Sequence, residues 1–258
     1  MNSLNAAGHD SKVEPWTTAE TLGLPPGIRA CLFDLDGVLT QTARLHAAAW
    51  KRTFDSFLRE RCVHTQEPFV PFDAALDYDR YVDGRARHDG VREFLTARHI
   101  EIDAATATML GDRKNDLLLA LIRRHGLEPY EGSVRYVRAA AAAGLRRAVV
   151  SASANCRAAL EAAGLTDLFE VRIDAARAAE EHLQGKPAPD TFLAAARALD
   201  VDPPEAAVFE DALAGVAAGR AGHFGFVVGV DRTGHAEGLR RAGADRVVSD
   251  LGELLESR

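Results

Sequence analysis

Short apolar runs and longer amphipathic stretches alternate along the chain, and the alternation changes character twice. Ile28 to Asp34 is an apolar run stopped by Asp and Gly, the pattern of a strand buried in a parallel sheet. Thr42 begins a helix-like stretch through Leu58, with Leu45, Ala48, Ala49, Arg52 and Phe57 near helical spacing. From about Phe54 to Leu127 the pattern stays helical, and helices are expected over Asp89 to Arg98, Asp103 to Leu110 and Arg113 to His125. Strands then return. Helices over Ser133 to Ala143, Cys156 to Ala163, Asp190 to Leu199 and Leu213 to Ala221 are separated by strands over Arg147 to Ser151, Val171 to Asp174, Ala207 to Glu210 and Gly225 to Val230.

Alternating strands and helices imply a parallel sheet covered on both faces. The expected fold is therefore α/β: a Rossmann-like parallel-sheet core built from residues 28–44 and 128–258, with an inserted all-helical cap domain over residues 45–127. Residues 1–27 form a polar N-terminal extension ending in Leu24-Pro25-Pro26-Gly27 and read as loosely ordered.

Composition narrows the function classes. At 258 residues the chain is long enough for a sizeable core, and a net charge of −7 argues against a partner bound through its phosphate backbone, so no nucleic acid is expected. No apolar run reaches the roughly 18 residues needed to cross a bilayer. Met1 to Pro26 carries no signal-like apolar core, and Cys31, Cys62 and Cys156 have no C-x-x-C spacing. These features predict a cytoplasmic protein with free thiols and no membrane partner, and a monomer is expected.

The chemistry gathers at strand exits, where open parallel sheets bind ligands. Asp34 and Asp36 follow the first strand, Ser151 ends the second, Lys186 lies in Gly185-Lys186-Pro187, and Glu210 and Asp211 end a later strand. Gly37 allows a sharp turn that aims two carboxylates at one substrate while keeping them distinct, so that one attacks phosphorus and the other handles a proton. Carboxylates alone repel a phosphate, so a hard cation is required. Mg²⁺ fits, being held by one or two carboxylates together with phosphate oxygens and water. Ser151 supplies a hydrogen bond to phosphoryl oxygens, and Lys186 neutralises charge on the transferring group. Taken singly, Asp-x-Asp-Gly is a common turn and Ser or Lys at a strand exit is ordinarily a solvated loop residue. Four such elements in this order are not.

Phe33-Asp34-Leu35-Asp36-Gly37-Val38-Leu39, Ser151, Lys186 and Glu210-Asp211 resemble the four motifs of the haloacid dehalogenase superfamily over residues 28–255. The resemblance implies an aspartyl-phosphate on Asp34, acid and base work by Asp36, and Mg²⁺ held by Asp34, Asp36 through its backbone carbonyl, Glu210 and Asp211. The second Asp points to phosphoryl transfer rather than dehalogenation. The chain is further similar to the β-phosphoglucomutase-like subfamily, whose helical cap follows the first motif. That likeness implies substrate-binding roles for Thr42, His46 and Trp50, for Gly84, Arg85 and Arg87 in Asp83-Gly84-Arg85-Ala86-Arg87, for Lys114 and Asn115, and for Ser153 and Asn155. Without the resemblance, His46 would read as a packed or solvated helix histidine and Trp50 as core. Asp83, Ala154 and Gln41 depart from the subfamily, with two losses of positive charge.

The implied activity is a β-phosphoglucomutase interconverting β-D-glucose 1-phosphate and glucose 6-phosphate through glucose 1,6-bisphosphate, which also serves as primer. The alternatives are a Mg²⁺-dependent sugar-phosphate phosphatase on the same scaffold and a non-catalytic phosphosugar-binding protein.

Overall fold

The computed structural model describes residues 19–256. Six parallel strands, β1 (Ala30–Phe33), β2 (Arg146–Val150), β3 (Val171–Ile173), β4 (Ala206–Glu210), β5 (Phe226–Val230) and β6 (Arg246–Val248), form one sheet in the order β3-β2-β1-β4-β5-β6. Successive side chains of a strand face opposite sides. Cys31 and Phe33 accordingly enter one apolar layer with Tyr136, Phe209 and Val228, while Ala30 and Leu32 enter the other with Val150, Phe192 and Val208. Phe33 stacks on Phe209 with ring centroids 4.5 Å apart, pinning β1 to β4.

The chain runs outward from β1 to β2 and β3, then returns to the other side of β1 for β4, β5 and β6. The strand order thus reverses beside β1, and the crevice at the carboxyl ends there is where such sheets bind ligands. Asp34, Ser151, Glu210 and Asp211 all stand at those ends.

Helices α1 (Ala43–Thr65), α2 (Arg87–Ala97) and α3 (Ala104–His125) form the inserted helical unit, with a π-helical turn at Tyr78–Val82. Their core is separate from the sheet's two layers and centres on Trp50, Phe54, Phe72 and Phe94, with Phe54 and Phe94 centroids 4.3 Å apart. Helices α4 (Glu131–Ala142), α5 (Cys156–Ala162), α6 (Ala175–Glu180), α7 (Asp190–Ala198), α8 (Leu213–Ala221), α9 (Ala236–Ala242) and α10 (Glu253–Glu256) complete the α/β unit.

Several local expectations change. The helix from Thr42 runs to Thr65 rather than Leu58, because its last turns are polar and carry no apolar stripe to read. The two helices expected over Asp103 to Leu110 and Arg113 to His125 are one, α3. A single glycine such as Gly111 costs a helix only about 1 kcal/mol, and the buried face of Leu110, Lys114 and Leu118 runs straight across it. Residues 19–27 are not loose: the turn Ala19–Leu22 buries Leu22 and Leu24, and the Tyr136 hydroxyl donates to the Leu22 carbonyl at 2.9 Å. The remainder of that extension, residues 1–18, lies outside the described residues. Among the described residues no helix is long and apolar enough to cross a membrane, and the three cysteines are unpaired.

Candidate active site

The segment after β1 is a tight turn. Asp34 N–H continues the ladder to the Phe209 carbonyl at 2.9 Å, Leu39 and Thr40 N–H both donate to the Leu35 carbonyl at 2.9 Å, and Gly37 N–H donates to the Thr40 carbonyl at 2.8 Å. Gly37 has φ +93, and a Cβ there would lie 1.7 Å from Asp211 Oδ2. Only glycine fits this position, and the turn therefore brings Asp34 and Asp36 against the end of β4.

Three carboxylates, Asp34, Glu210 and Asp211, present ligand oxygens within 4.8 Å of one another. The Asp36 carboxylate stands apart: it accepts from the Thr42 hydroxyl and faces His46 Nε2 at 3.5 Å. Lys186, almost wholly buried, donates to Asp34 Oδ1 at 2.5 Å, to the Val150 carbonyl at 3.1 Å and to Glu210 Oε1. Burial, then the neighbouring carboxylates, raise the Asp34 and Asp211 carboxyls above the usual range, and burial pushes Glu210 up to about 8 against the opposing pull of Lys186. The Lys186 ammonium is held charged by Asp34 and Glu210 despite burial. One lysine thus faces several acids, and a hard, oxygen-preferring cation fits this donor set by relieving their repulsion.

Ser151 lines the same cavity, and its oxygen accepts from Ser153 N–H at 3.1 Å while Ser153 Oγ accepts from Asn155 N–H at 3.2 Å. These local bonds turn the loop after β2 back on itself and leave Ser151, Ser153 and Asn155 along the cavity wall.

The cavity, about 450 Å³, lies between the sheet ends and the helical unit. From the helical side it is lined by His46, Trp50, Gly84, Arg85, Arg87, Lys114 and Asn115. Asn115 Oδ1 accepts from both Arg87 at 3.1 Å and Asn155 Nδ2 at 2.8 Å, a bridge from the helical unit to the sheet unit. Gly84, at φ +67, lies against Ala212, and an added Cβ would approach Ala212 Cβ to 2.7 Å. Lys114 Nζ sits 3.2 Å from His46 Nδ1 and over the Trp50 ring. Burial, together with Lys114 and Arg87, holds His46 neutral, so Lys114 donates to Nδ1 and Nε2–H faces Asp36. Burial lowers Lys114 to about 8, with Asp36 pulling the other way.

Fourteen of the sixteen residues singled out by sequence line this cavity. The other two are Glu210, whose side chain is fully buried beneath it, and Thr42, which is buried behind Asp36. Thr42 therefore contacts Asp36 rather than facing the space a substrate would fill, because Thr40 and Asp36 both hydrogen-bond its hydroxyl. Sequence reasoning missed Tyr78 and the wall from α6, Ala175, Ala178 and Ala179. The helix signal was there in Asp174, whose carboxylate caps α6 by accepting from Arg177 N–H. Asp83, noted only as a departure, also lines the cavity; burial raises its carboxyl to about 7, while a hydrogen bond from Tyr78 opposes the shift.

A parallel sheet with a carboxylate-bearing turn after its central strand, a buried lysine and an acidic cluster defines a phosphotransferase of the haloacid dehalogenase type. The family model described as haloacid dehalogenase-like hydrolase matches residues 28–223, and the chain belongs to that family. Within it the chain falls in the β-phosphoglucomutase group. It is 56% identical to a beta-phosphoglucomutase of Mycobacterium tuberculosis, over 93% of this chain and 97% of that one. A beta-phosphoglucomutase of Bacillus subtilis is 31% identical, covering 88% and 92% of the two chains. A crystal structure of beta-phosphoglucomutase from Clostridium difficile superimposes with a TM-score of 0.70 at 26% identity, over 88% of this chain and 93% of that one.

Proposed function

We propose that the protein is a β-phosphoglucomutase that converts β-D-glucose 1-phosphate to glucose 6-phosphate through glucose 1,6-bisphosphate, with a phosphoryl group carried on Asp34. The observation that carries this reading is the two-poled cavity. Acids with Lys186 and Ser151 lie at the sheet ends, and the cations Arg87 and Lys114 face them from the helical unit. A sugar bearing phosphates at both ends suits that two-sided arrangement of charge.

In this reading Asp34 Oδ attacks phosphorus in line with the departing sugar oxygen, and Asp36 gives that oxygen its proton. On the return transfer Asp36 takes a proton from the incoming hydroxyl, restoring its first state. Lys186 and Ser151 hold the phosphoryl oxygens as charge builds on them. Mg²⁺ held by Asp34, Glu210, Asp211 and the Asp36 backbone carbonyl would supply the charge neutralisation that lets a carboxylate meet an anionic phosphorus. Thr42 fixes the Asp36 carboxylate, and neutral His46 ties it to Lys114, so seating a phosphate on Lys114 bears on Asp36. The Asn115–Asn155 bridge and the Gly84–Ala212 contact draw the helical unit against the sheet ends, which would limit the access of water to the aspartyl-phosphate.

Arg87→Ala tests the distal-phosphate pole. It is expected to raise KM for the sugar phosphate by about tenfold or more, the scale of a lost charge-assisted pair, while turnover of acetyl phosphate changes little. Equal losses on both substrates would remove the distal role from Arg87. Lys114 adds a pH signature. With its ammonium near 8, the free enzyme loses most of that charge between pH 7 and pH 9, and KM for the sugar phosphate should rise by about tenfold over that span. Lys114→Arg, charged throughout, should flatten the rise. A slope unchanged in that variant would assign the pH dependence to another group.

A further inference from the structure

Arg232 follows β5 and lines no part of the cavity, yet its guanidinium meets the catalytic turn. Nε donates to the Gly37 carbonyl at 3.0 Å, Nη1 to the Ser249 carbonyl at 2.7 Å and to Asp250 Oδ2 at 2.9 Å, and Nη2 to Ser133 Oγ at 3.4 Å. Its flat face lies 3.5 Å over the centroid of the Tyr130 ring, and only 13% of the side chain is exposed. Ser133, fully buried, donates in turn to the Val38 carbonyl at 2.6 Å. The two carbonyls that follow Asp36 are therefore both held from the same side, by Arg232 directly and by the serine it touches.

The loop that carries Arg232 is itself fixed. Asp231 accepts from the N–H groups of Thr233, Gly234, His235 and Ala236, at distances from 2.7 to 3.2 Å. Opposite, the segment after Asp36 is stitched to the chain returning from the helical unit: Tyr130 N–H donates to the Leu39 carbonyl and Gln41 N–H to the Glu128 carbonyl, both at 2.9 Å. Arg232 closes this arrangement by stacking on Tyr130 while gripping Gly37. A guanidinium does this because its planar fork meets several acceptors at once and still offers a face for stacking.

We infer that Arg232 is a positioning residue for phosphoryl transfer, fixing the Gly37–Val38 peptide, and through it the turn that follows Asp36, so that the Asp36 carboxylate and carbonyl stay in register with Asp34. This rests on the reading of Asp36 as the group that moves the proton. Small displacements of a catalytic group cost up to about a hundredfold in rate. Substrate contacts lie elsewhere, so binding should be spared.

The test measures kcat, KM and melting temperature for Arg232→Ala, Arg232→Lys and, in parallel, Asp36→Asn. For Arg232→Ala, kcat should fall by about tenfold to a hundredfold with KM changed less than about twofold, and millimolar guanidinium should recover part of kcat. Arg232→Lys, which keeps one cationic donor but not the fork, should be intermediate in kcat with KM unchanged. Should the alanine variant fail to fold, the lysine variant decides alone. Wild-type kcat in either folded variant, or an activity loss that tracks the unfolded fraction and is not recovered by guanidinium, overturns the inference. Near-normal transfer in Asp36→Asn would instead overturn the reading of the site on which it rests.

Discussion

Asp34→Asn is expected to abolish phosphoenzyme formation and lower turnover by at least about a thousandfold, as removal of a covalent nucleophile does. The amide is nearly the same size as the carboxylate but is a poor nucleophile. The turn around it depends on backbone bonds from Asp34, Gly37, Leu39 and Thr40, none of which uses the lost oxygen. Lys186 keeps Glu210 and the Val150 carbonyl as partners. Burial and the neighbouring acids disfavour the Asp34 charge overall, so removing it should not lower the melting temperature in metal-free buffer. Incubation with a radiolabelled sugar bisphosphate and acid quenching reads the phosphoenzyme directly. Label retained on the Asn variant would place the nucleophile elsewhere.

Asp36→Asn should separate proton transfer from metal binding. The backbone carbonyl proposed to face the cation survives the change, and the Thr42 hydroxyl can still donate to the amide oxygen. Mg²⁺ affinity should therefore remain within a fewfold of wild type. Both phosphoryl transfers should slow by about 10² to 10⁴, the usual range for loss of a positioned acid or base. Acetyl phosphate, whose leaving group needs no proton, should phosphorylate Asp34 at a rate much closer to normal. Equal slowing with sugar bisphosphate and acetyl phosphate would show that Asp36 acts on the turn or the metal rather than on the proton.

Much of this site was legible in the sequence because strand ends are short-range features. An apolar run followed by Asp-Leu-Asp-Gly fixes where a parallel strand stops and which side chains leave it, and Glu210-Asp211 repeats the signal after β4. Apolar periodicity likewise separated the helical insertion from the sheet unit. What was not legible depends on contacts far apart in the chain. Thr42 reads as a substrate residue by its place on the helix, but the turn made by Gly37 and Thr40 brings Asp36 back over it and buries it. Residues 19–27 look polar and loose until the apolar side of α4 is available to receive Leu22 and Leu24. Strand β6 has three residues and helix α9 seven, too short for periodicity to register against their polar surroundings. Arg232 carries no local signal at all, since its partners Gly37, Ser133, Tyr130 and Asp250 meet it only in the fold.

Transfer of the phosphoryl group from Asp34 to a sugar phosphate rather than to water is the step that makes the proposed enzyme a mutase. Its most direct test is an anomer-resolved assay of the wild-type enzyme with β-glucose 1-phosphate, Mg²⁺ and a trace of glucose 1,6-bisphosphate, following glucose 6-phosphate and free phosphate together. Glucose 6-phosphate is expected as the dominant product, with dependence on the bisphosphate primer, no turnover of the α anomer, and free phosphate at a small fraction of the mutase rate. Stoichiometric release of free phosphate without glucose 6-phosphate would rule out a mutase and make the protein a sugar-phosphate phosphatase.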